Sequence, residues 1–525
     1  MNNSVFVVIY LINMDEILIF SEDGKKVIGT CDKSVTHVTI PNGVTIIEQG
    51  AFRDCSLLQS IDIPNSVTTI KYEAFANCSS LMDVDIPNSV KTISIEVFSG
   101  CTSLQSIDLP NSITSIGNGV FKNCLSLKNI KLPDSITCIA QETFEGCTSL
   151  KKICLPSNLV SISDKAFKGC FSLQAINLPS SISLGSETFK NCSSLHGDFI
   201  FTNLCHLQMG VFYGCSSITS IIITENLWTI GHEAFMNCKS LHTIELPSKM
   251  QFIDKKAFQG CSSLESIKLP DGLNKIYSYT FSGCSSLNNV IFSKGLQYIE
   301  NHAFDGCASL KNVKLPEGLI KISEHAFEGC SSLNSIEFPY TINKICGYAF
   351  SGCTSLNTLD ISNINLWRSK YGVLIADDAF ENCFIERFIA DNTYRYFADN
   401  DILYCGYENI YLVKYPQMKK NKKFVVADNI KGIADYAFSG AIYLEEITLP
   451  NSSKFEIGTE AFKGCDALHK IISVCEDIDD IIIDETAFNG FNVDDCVLYI
   501  PSGSRWAYKH HPGFSKFKNI EISNS

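Results

Sequence analysis

The sequence predicts a repeat solenoid, a coil of short stacked segments with a parallel β-sheet along one wall. Three observations carry this. Phe falls at 52, 75, 98, 121, 144 and 167, every 23 residues; after one lost residue (Phe189) the beat resumes at 212, 235, 258, 281, 304, 327 and 350. A fixed frame surrounds each Phe, and the same local context returns at Phe380, Phe438, Phe462 and Phe488. The chain has 34 Phe and 24 Cys in 525 residues and is 45% hydrophobic and 19% charged, so it is folded rather than disordered.

The frame gives each element in order. Ala, Val or Thr precedes the Phe (Ala51, Val97, Thr143), and Cys follows at plus three (Cys55, Cys78, Cys101). This A-F-x-x-C stretch reads as a tight turn or short 3₁₀ piece. Leu comes at plus six (Leu58, Leu81, Leu104), then Ile or Val at plus nine (Ile61, Val84, Ile107) and Ile or Leu at plus eleven. The period-two pair reads as a short strand with both apolar side chains inward. Pro at plus twelve (Pro64, Pro87, Pro110) ends it, because Pro cannot donate to a ladder. Apolar residues at plus fifteen and plus eighteen, such as Val67 and Ile70, read as the return wall. One such segment cannot bury its apolar face alone, but stacked copies can.

The unit AFxxCxSLxxIxLPxSIxxI resembles the BspA-like, or Treponema-type, leucine-rich repeat, from about Val38 to Val497. The resemblance implies a right-handed solenoid of the leucine-rich-repeat superfamily, mostly strand and turn, with its parallel sheet on the concave face. It also implies a surface or secreted adhesin-type protein that binds host, matrix or other proteins or glycoproteins. It assigns no ligand, since the consensus positions are structural.

The ends and one interruption complete the organisation. Residues 1–37 read as an N-terminal β-hairpin cap with its turn at Ser21-Glu22-Asp23-Gly24, and 38–364 as the main array. The frame fails over 365–430. There Asp401-Ile402-Leu403 and Leu412-Val413 repeat Glu16-Ile17-Leu18 and Val27-Ile28, which predicts a second cap-like hairpin. A short second array over 431–497 leads to a C-terminal cap over 498–525, where Ser502 or Ser504 caps a short helix carrying Trp506 and Tyr508. This closing segment reads as the natural end of the chain. The run Val5 to Ile12 is apolar, but no Lys or Arg precedes it and no small-residue cleavage site follows, and Met14 offers an alternative start. The expected location is therefore the cell surface or outside by resemblance, with the cytoplasm as the alternative.

Chemistry is mostly excluded. A net charge of −14 and pI near 5.2 argue against nucleic acid as a partner. No stretch approaches the roughly 20 apolar residues of a transmembrane helix. There is no HExxH, GxSxG, Walker loop or GxGxxG; His232-Glu233 lacks a second His, and His510-His511 sits near the C-terminus. No catalytic, cofactor or metal site is expected, and the chain is read as a non-enzyme. Sixteen Cys occupy the plus-three column, where side chains point in parallel and suit a disulfide poorly, so they read as buried thiols. The other eight (Cys31, Cys138, Cys154, Cys205, Cys346, Cys405, Cys475, Cys496) are irregular and form no CxxC, so cysteine usage fixes no redox compartment. Sequons at Asn2, Asn77, Asn191 and Asn451 carry no weight in an Asn- and Ser-rich chain.

The partner face is expected at plus eight and plus ten. Asp62, Asp85 and Asp108 stack like charges with Asp83 beside them, read as a cation site or a dock for a basic partner, or else as a solvated acidic edge near Lys131. Phe199 and Ile222 read either as an apolar interaction patch or as a register shift that buries Phe199. Glu245, Lys268 and Ile291 continue the column. Lys419, Lys420, Lys422 and Lys423 form a candidate polyanion contact, or a solvated turn. An intracellular scaffold using the same face is the competing function.

Overall fold

The computed structural model describes residues 17–223, 226–364, 374–376, 378–390, 396–406 and 408–523. The run Val5–Ile12, Met14, the sequon at Asn2 and residues 365–373 of the interruption lie outside the described residues. The chain divides into two compact units, Met1–Pro247 and Ser248–Ser525.

In the first unit, strands Leu18–Phe20 and Lys26–Thr30 form an antiparallel hairpin, and the second of them pairs in parallel with Ile46–Ile47. From there the chain builds two parallel walls. One carries longer strands, including Ser60–Asp62, Asn129–Lys131, Lys152–Cys154, Asp198–Phe201 and Ser220–Ile223. The return wall carries two-residue strands such as Thr69–Ile70, Thr92–Ile93, Cys138–Ile139 and Ser161–Ile162. Register follows the repeat, with Cys138 opposite Ser161 and Ile139 opposite Ile162. The plus-nine Ile is buried in each of Ile61, Ile107, Ile130 and Ile153. The plus-eleven residue is buried at Leu132 but only half-buried at Ile63 and Leu109.

The Phe stretch is a turn, and it carries a ladder of its own. Phe52 donates its N–H to the carbonyl of Ala74 (2.8 Å) and Asp54 to that of Ala76 (2.9 Å), one coil on. From Phe52 to Phe235 the buried rings stack at 5.3–5.9 Å between centroids, within 12° of parallel. The residue two after each Phe has positive φ, and the chain places Gly, Asn or Asp there, the types that tolerate it. At Gly100 (φ 74°) a Cβ would also collide with the Asn77 side chain of the preceding coil.

The second unit repeats the plan. Longer strands include Ser266–Lys268, Asn289–Ile291, Asn312–Lys314 and Ser335–Glu337, and Phe258 to Phe380 stack at 5.1–5.4 Å. Within the interruption, Tyr396–Asp399, Ile402–Cys405 and Ile410–Lys414 form an antiparallel meander, whose last strand pairs in parallel with Ile430–Ile433. At the C-terminus the helix spans Arg505–His510. Ser504 precedes it without a side-chain capping bond; its hydroxyl reaches the Glu476 carbonyl instead (3.4 Å). Tyr508 is buried and donates to the Cys475 carbonyl (2.7 Å), while Trp506 is exposed. A last strand, Asn519–Ile522, then pairs in parallel with Val497–Ile500, one coil beyond the repeat frame.

Among the described residues no helix is long and apolar enough to cross a membrane.

Candidate protein-binding face

The longer-strand wall turns its plus-eight and plus-ten residues outward, because alternation buries plus nine, and the plus-seven residue just before the strand is exposed too, as at Gln59, Gln105, Lys128 and Lys151. Asp62 ends its strand opposite Thr39, accepts the Thr39 hydroxyl (3.0 Å) and lies 3.4 Å from Nε2 of His37. Asp83, Asp85 and Asp108 are exposed, and Asp83 accepts the N–H of Val84 (3.0 Å). At residues 83–85 and 106–108 the wall has no assigned strand. The ladder lapses across these two successive coils, where like charges in register weaken pairing, and thins again to a single bridge at the uncharged residues 175–177.

Between these places it resumes with a basic block. Lys131 is exposed opposite Cys154, and Lys128, Lys151 and Lys152 lie exposed beside it, with Lys128 donating to Gln105 (3.3 Å). Four carboxylates and four ammonium groups are thus sorted into adjoining blocks on one face. Of these lysines the plus-ten column holds Lys131 alone, and Lys128 and Lys151 stand at plus seven. Lys152 is itself a plus-eight residue.

Of the two readings of Phe199, the register shift that buries it holds, and its place as a partner contact is corrected. It is buried (5% exposed), and Ile200 (52%) and Ile222 (39%) are the outward pair, opposite one another in the parallel ladder. The Phe189 coil has one extra residue between Leu195 and its strand, taken up at Gly197 (φ 108°), so Phe199 aligns with the core residue Ile221. The HGD sequence before Phe199 was the available signal.

Glu245 is exposed opposite Ile222. In the second unit Lys268 and Ile291 are exposed and paired in register, and Lys314 and Glu337 form an exposed ion pair (3.1 Å). The lysine loop is largely engaged. Lys419 is turned inward against Asp401 (2.8 Å) and the Asn400 carbonyl (2.7 Å), which corrects its reading as a polyanion contact. Lys422 and Lys423 are exposed but paired with Glu445 (2.7 Å) and Glu446 (3.1 Å), and Lys420 is exposed. A half-buried Lys419 against an exposed Asp401 and two surface pairs leave Lys420 as the exposed lysine of the loop with no ion pair shown.

Each of the 24 cysteines carries a thiol. The frame thiols are buried, and each of many donates to the carbonyl of the preceding coil's Phe: Cys78 to Phe52 (3.1 Å), Cys147 to Phe121 (3.0 Å), Cys284 to Phe258 (3.2 Å). The column is therefore a ladder of weak hydrogen bonds as well as a row of small core residues, a role the spacing alone did not reveal.

Such an array, with repeat-built walls and an outward face of sorted charge, defines a solenoid that presents side chains for recognition. The model of the BspA-type leucine-rich repeat region matches six times, over 30–137, 69–196, 114–227, 205–307, 284–407 and 408–499, and the chain belongs to that family. It is similar to a leucine-rich repeat protein of Bacteroides ovatus (28% identity, 71% of this chain and 98% of that one, TM-score 0.55). A leucine-rich cell surface protein of Faecalibacterium prausnitzii is 26% identical over 61% of this chain and 92% of its own, with a TM-score of 0.42. The leucine-rich repeat protein of Treponema pallidum is 31% identical over 34% of this chain and 86% of its own, with a TM-score of 0.32. No curated protein matches.

Proposed function

We propose that this chain is a non-enzymatic binding protein of the cell surface or the exterior, which engages another protein or glycoprotein through its longer-strand face. The observation that carries this is the sorting of Asp62, Asp83, Asp85 and Asp108 next to Lys128, Lys131, Lys151 and Lys152 on one exposed wall. Opposed blocks of charge select a partner with the complementary order and steer its approach. The exposed apolar pair Ile200 and Ile222 adds a contact further along the same wall. The surface location rests on membership of the BspA-type family. In this reading residues 1–37 cap the main array of 38–364, the interruption of 365–430 restarts a short array of 431–497, and 498–525 closes it.

A second reading, an intracellular scaffold, is favoured by the exposed thiols Cys138, Cys154 and Cys205, which suit a reducing compartment. A C-terminal tag in the native cell separates the two. Labelling of intact cells by an impermeant biotin reagent, with loss of the tag to external protease, supports the surface reading. A tag protected from both, with no protein in the medium, overturns it.

A further inference from the structure

Four successive coils of the second unit differ from most others at one position. The residue two before the frame Phe has positive φ, and elsewhere it is mostly charged or Gly, as at Glu142, Lys165 and Glu187. Here it is Tyr279, His302, His325 and Tyr348, with φ of 61°, 56°, 57° and 55°. The four rings form one column: centroids are 4.6, 4.6 and 5.1 Å apart, and each pair lies within 8° of parallel.

The pairing chemistry is also inverted. At Glu187–Lys190 and Glu460–Lys463 this position supplies the acid, and the residue after the Phe supplies the base. In the Phe304 and Phe327 coils the order is reversed: His302 Nδ1 lies 3.1 Å from Asp305, and His325 Nδ1 lies 2.8 Å from Glu328. Asp305 on Nδ1 of His302 holds the ring proton there and leaves Nε2 with its lone pair, the pairing that orients histidine for metal ligation, whereas Nδ1 of His325 and the Glu328 carboxylate face each other closely enough to share one ion once that nitrogen gives up its proton. One donor atom from each of His302, His325 and Glu328 lies within 4.8 Å of the others.

We propose that His302, His325 and Glu328 form a site for a divalent transition ion of the zinc class, with Asp305 as the positioning residue that fixes the His302 tautomer. Two imidazoles and a carboxylate suit this class, whereas calcium and magnesium prefer all-oxygen sets. Zinc holds nitrogen at about 2.0–2.1 Å, so binding draws the donors together, and the soft ring torsions of two adjacent imidazoles supply that movement. This revises the expectation of no metal. No sequence motif marks the site, because its two histidines are 23 residues apart and meet only through coil stacking.

The test is titration of the full chain, stripped with chelator, with Co²⁺. The expected result is one equivalent giving visible ligand-field bands without sulfur charge transfer, displaced by Zn²⁺. His302→Asn and His325→Asn, which keep a residue tolerant of positive φ, abolish the bands. Asp305→Asn weakens binding by about 10- to 100-fold, and His242→Asn, at an exposed position in the other unit, leaves it unchanged. Bands that survive both histidine substitutions, charge transfer showing thiolate ligation, or no bands in excess Co²⁺ overturn the proposal. If a variant fails to fold, the imidazole NMR signals of His302 and His325 in the unaltered chain read the same site. They must shift on addition of Zn²⁺, and their failure to do so contradicts it.

Discussion

Most frame Cys are small buried residues that give their S–H to the Phe carbonyl of the preceding coil, which also accepts the N–H of its own coil's Cys. Burial is the dominant influence on these thiols, and it pushes Cys101, Cys147 and Cys284 up to about 12. Two outcomes follow at this scale. In the native protein a thiol reagent such as DTNB modifies the exposed Cys31, Cys138, Cys154 and Cys205 quickly, while the frame thiols react only after denaturation. Rapid native modification of Cys147 would contradict this burial. The second outcome concerns pH. An unfolded Cys titrates near 8.5. The folded values lie above it, so the thiols' contribution to stability is fully present below about pH 8.5 and is lost as pH rises toward 12. Thermal unfolding should therefore show Tm holding through neutral pH and falling above about pH 9; a Tm that rises across this range contradicts the linkage.

At the scale of the element, the frame was legible because each position has one physical demand. Plus nine must be apolar since alternation turns it inward, Pro must follow the strand, and the turn needs residues that tolerate positive φ. Elements with a different logic were less legible. The strand Asn519–Ile522 follows a helix rather than a frame Phe, and nothing in the period announces it. The Phe189 coil kept the beat of its Phe residues while gaining one residue within, so counting from the Phe put Phe199 outward. Because a one-residue slip exchanges the two faces of a strand, the sequence offers two readings of Phe199, an outward patch or a buried register shift, and the structure has the second. Substitution tests this register directly. Phe199→Ala should cost about 3–5 kcal/mol of unfolding free energy, and Ile200→Ala should stay within about 0.5 kcal/mol. Equal costs in denaturant unfolding would mean that the register is not the one described.

For the molecule as a whole, the period announced a solenoid and the frame's resemblance implied the BspA type, and its two units follow that plan. The site was legible only in part. The acidic column was visible because its members occupy equivalent positions of successive coils. The basic block was not, since Lys128 and Lys151 stand at plus seven while Lys131 stands at plus ten, and they become neighbours only when the wall is built. The His302–His325 column was missed for the same reason: sequence separation hides contacts that stacking creates. The lysine loop erred the other way, because its charge was visible in sequence while its partners Asp401, Glu445 and Glu446 were not.

The central claim is that the longer-strand wall is the recognition surface. A photo-crosslinking residue at Ser106, between the acidic and basic blocks, is compared in the native cell with one at Val160, which is 62% exposed on the return wall. The account predicts a discrete macromolecular adduct from position 106 and none from position 160. That adduct should weaken as salt rises above about 0.15 M, where surface charges are screened beyond roughly 8 Å, and should disappear when Lys128, Lys131, Lys151 and Lys152 are changed to Glu. Adducts of equal yield from both walls, or an adduct at position 106 that survives the charge reversal, would contradict it.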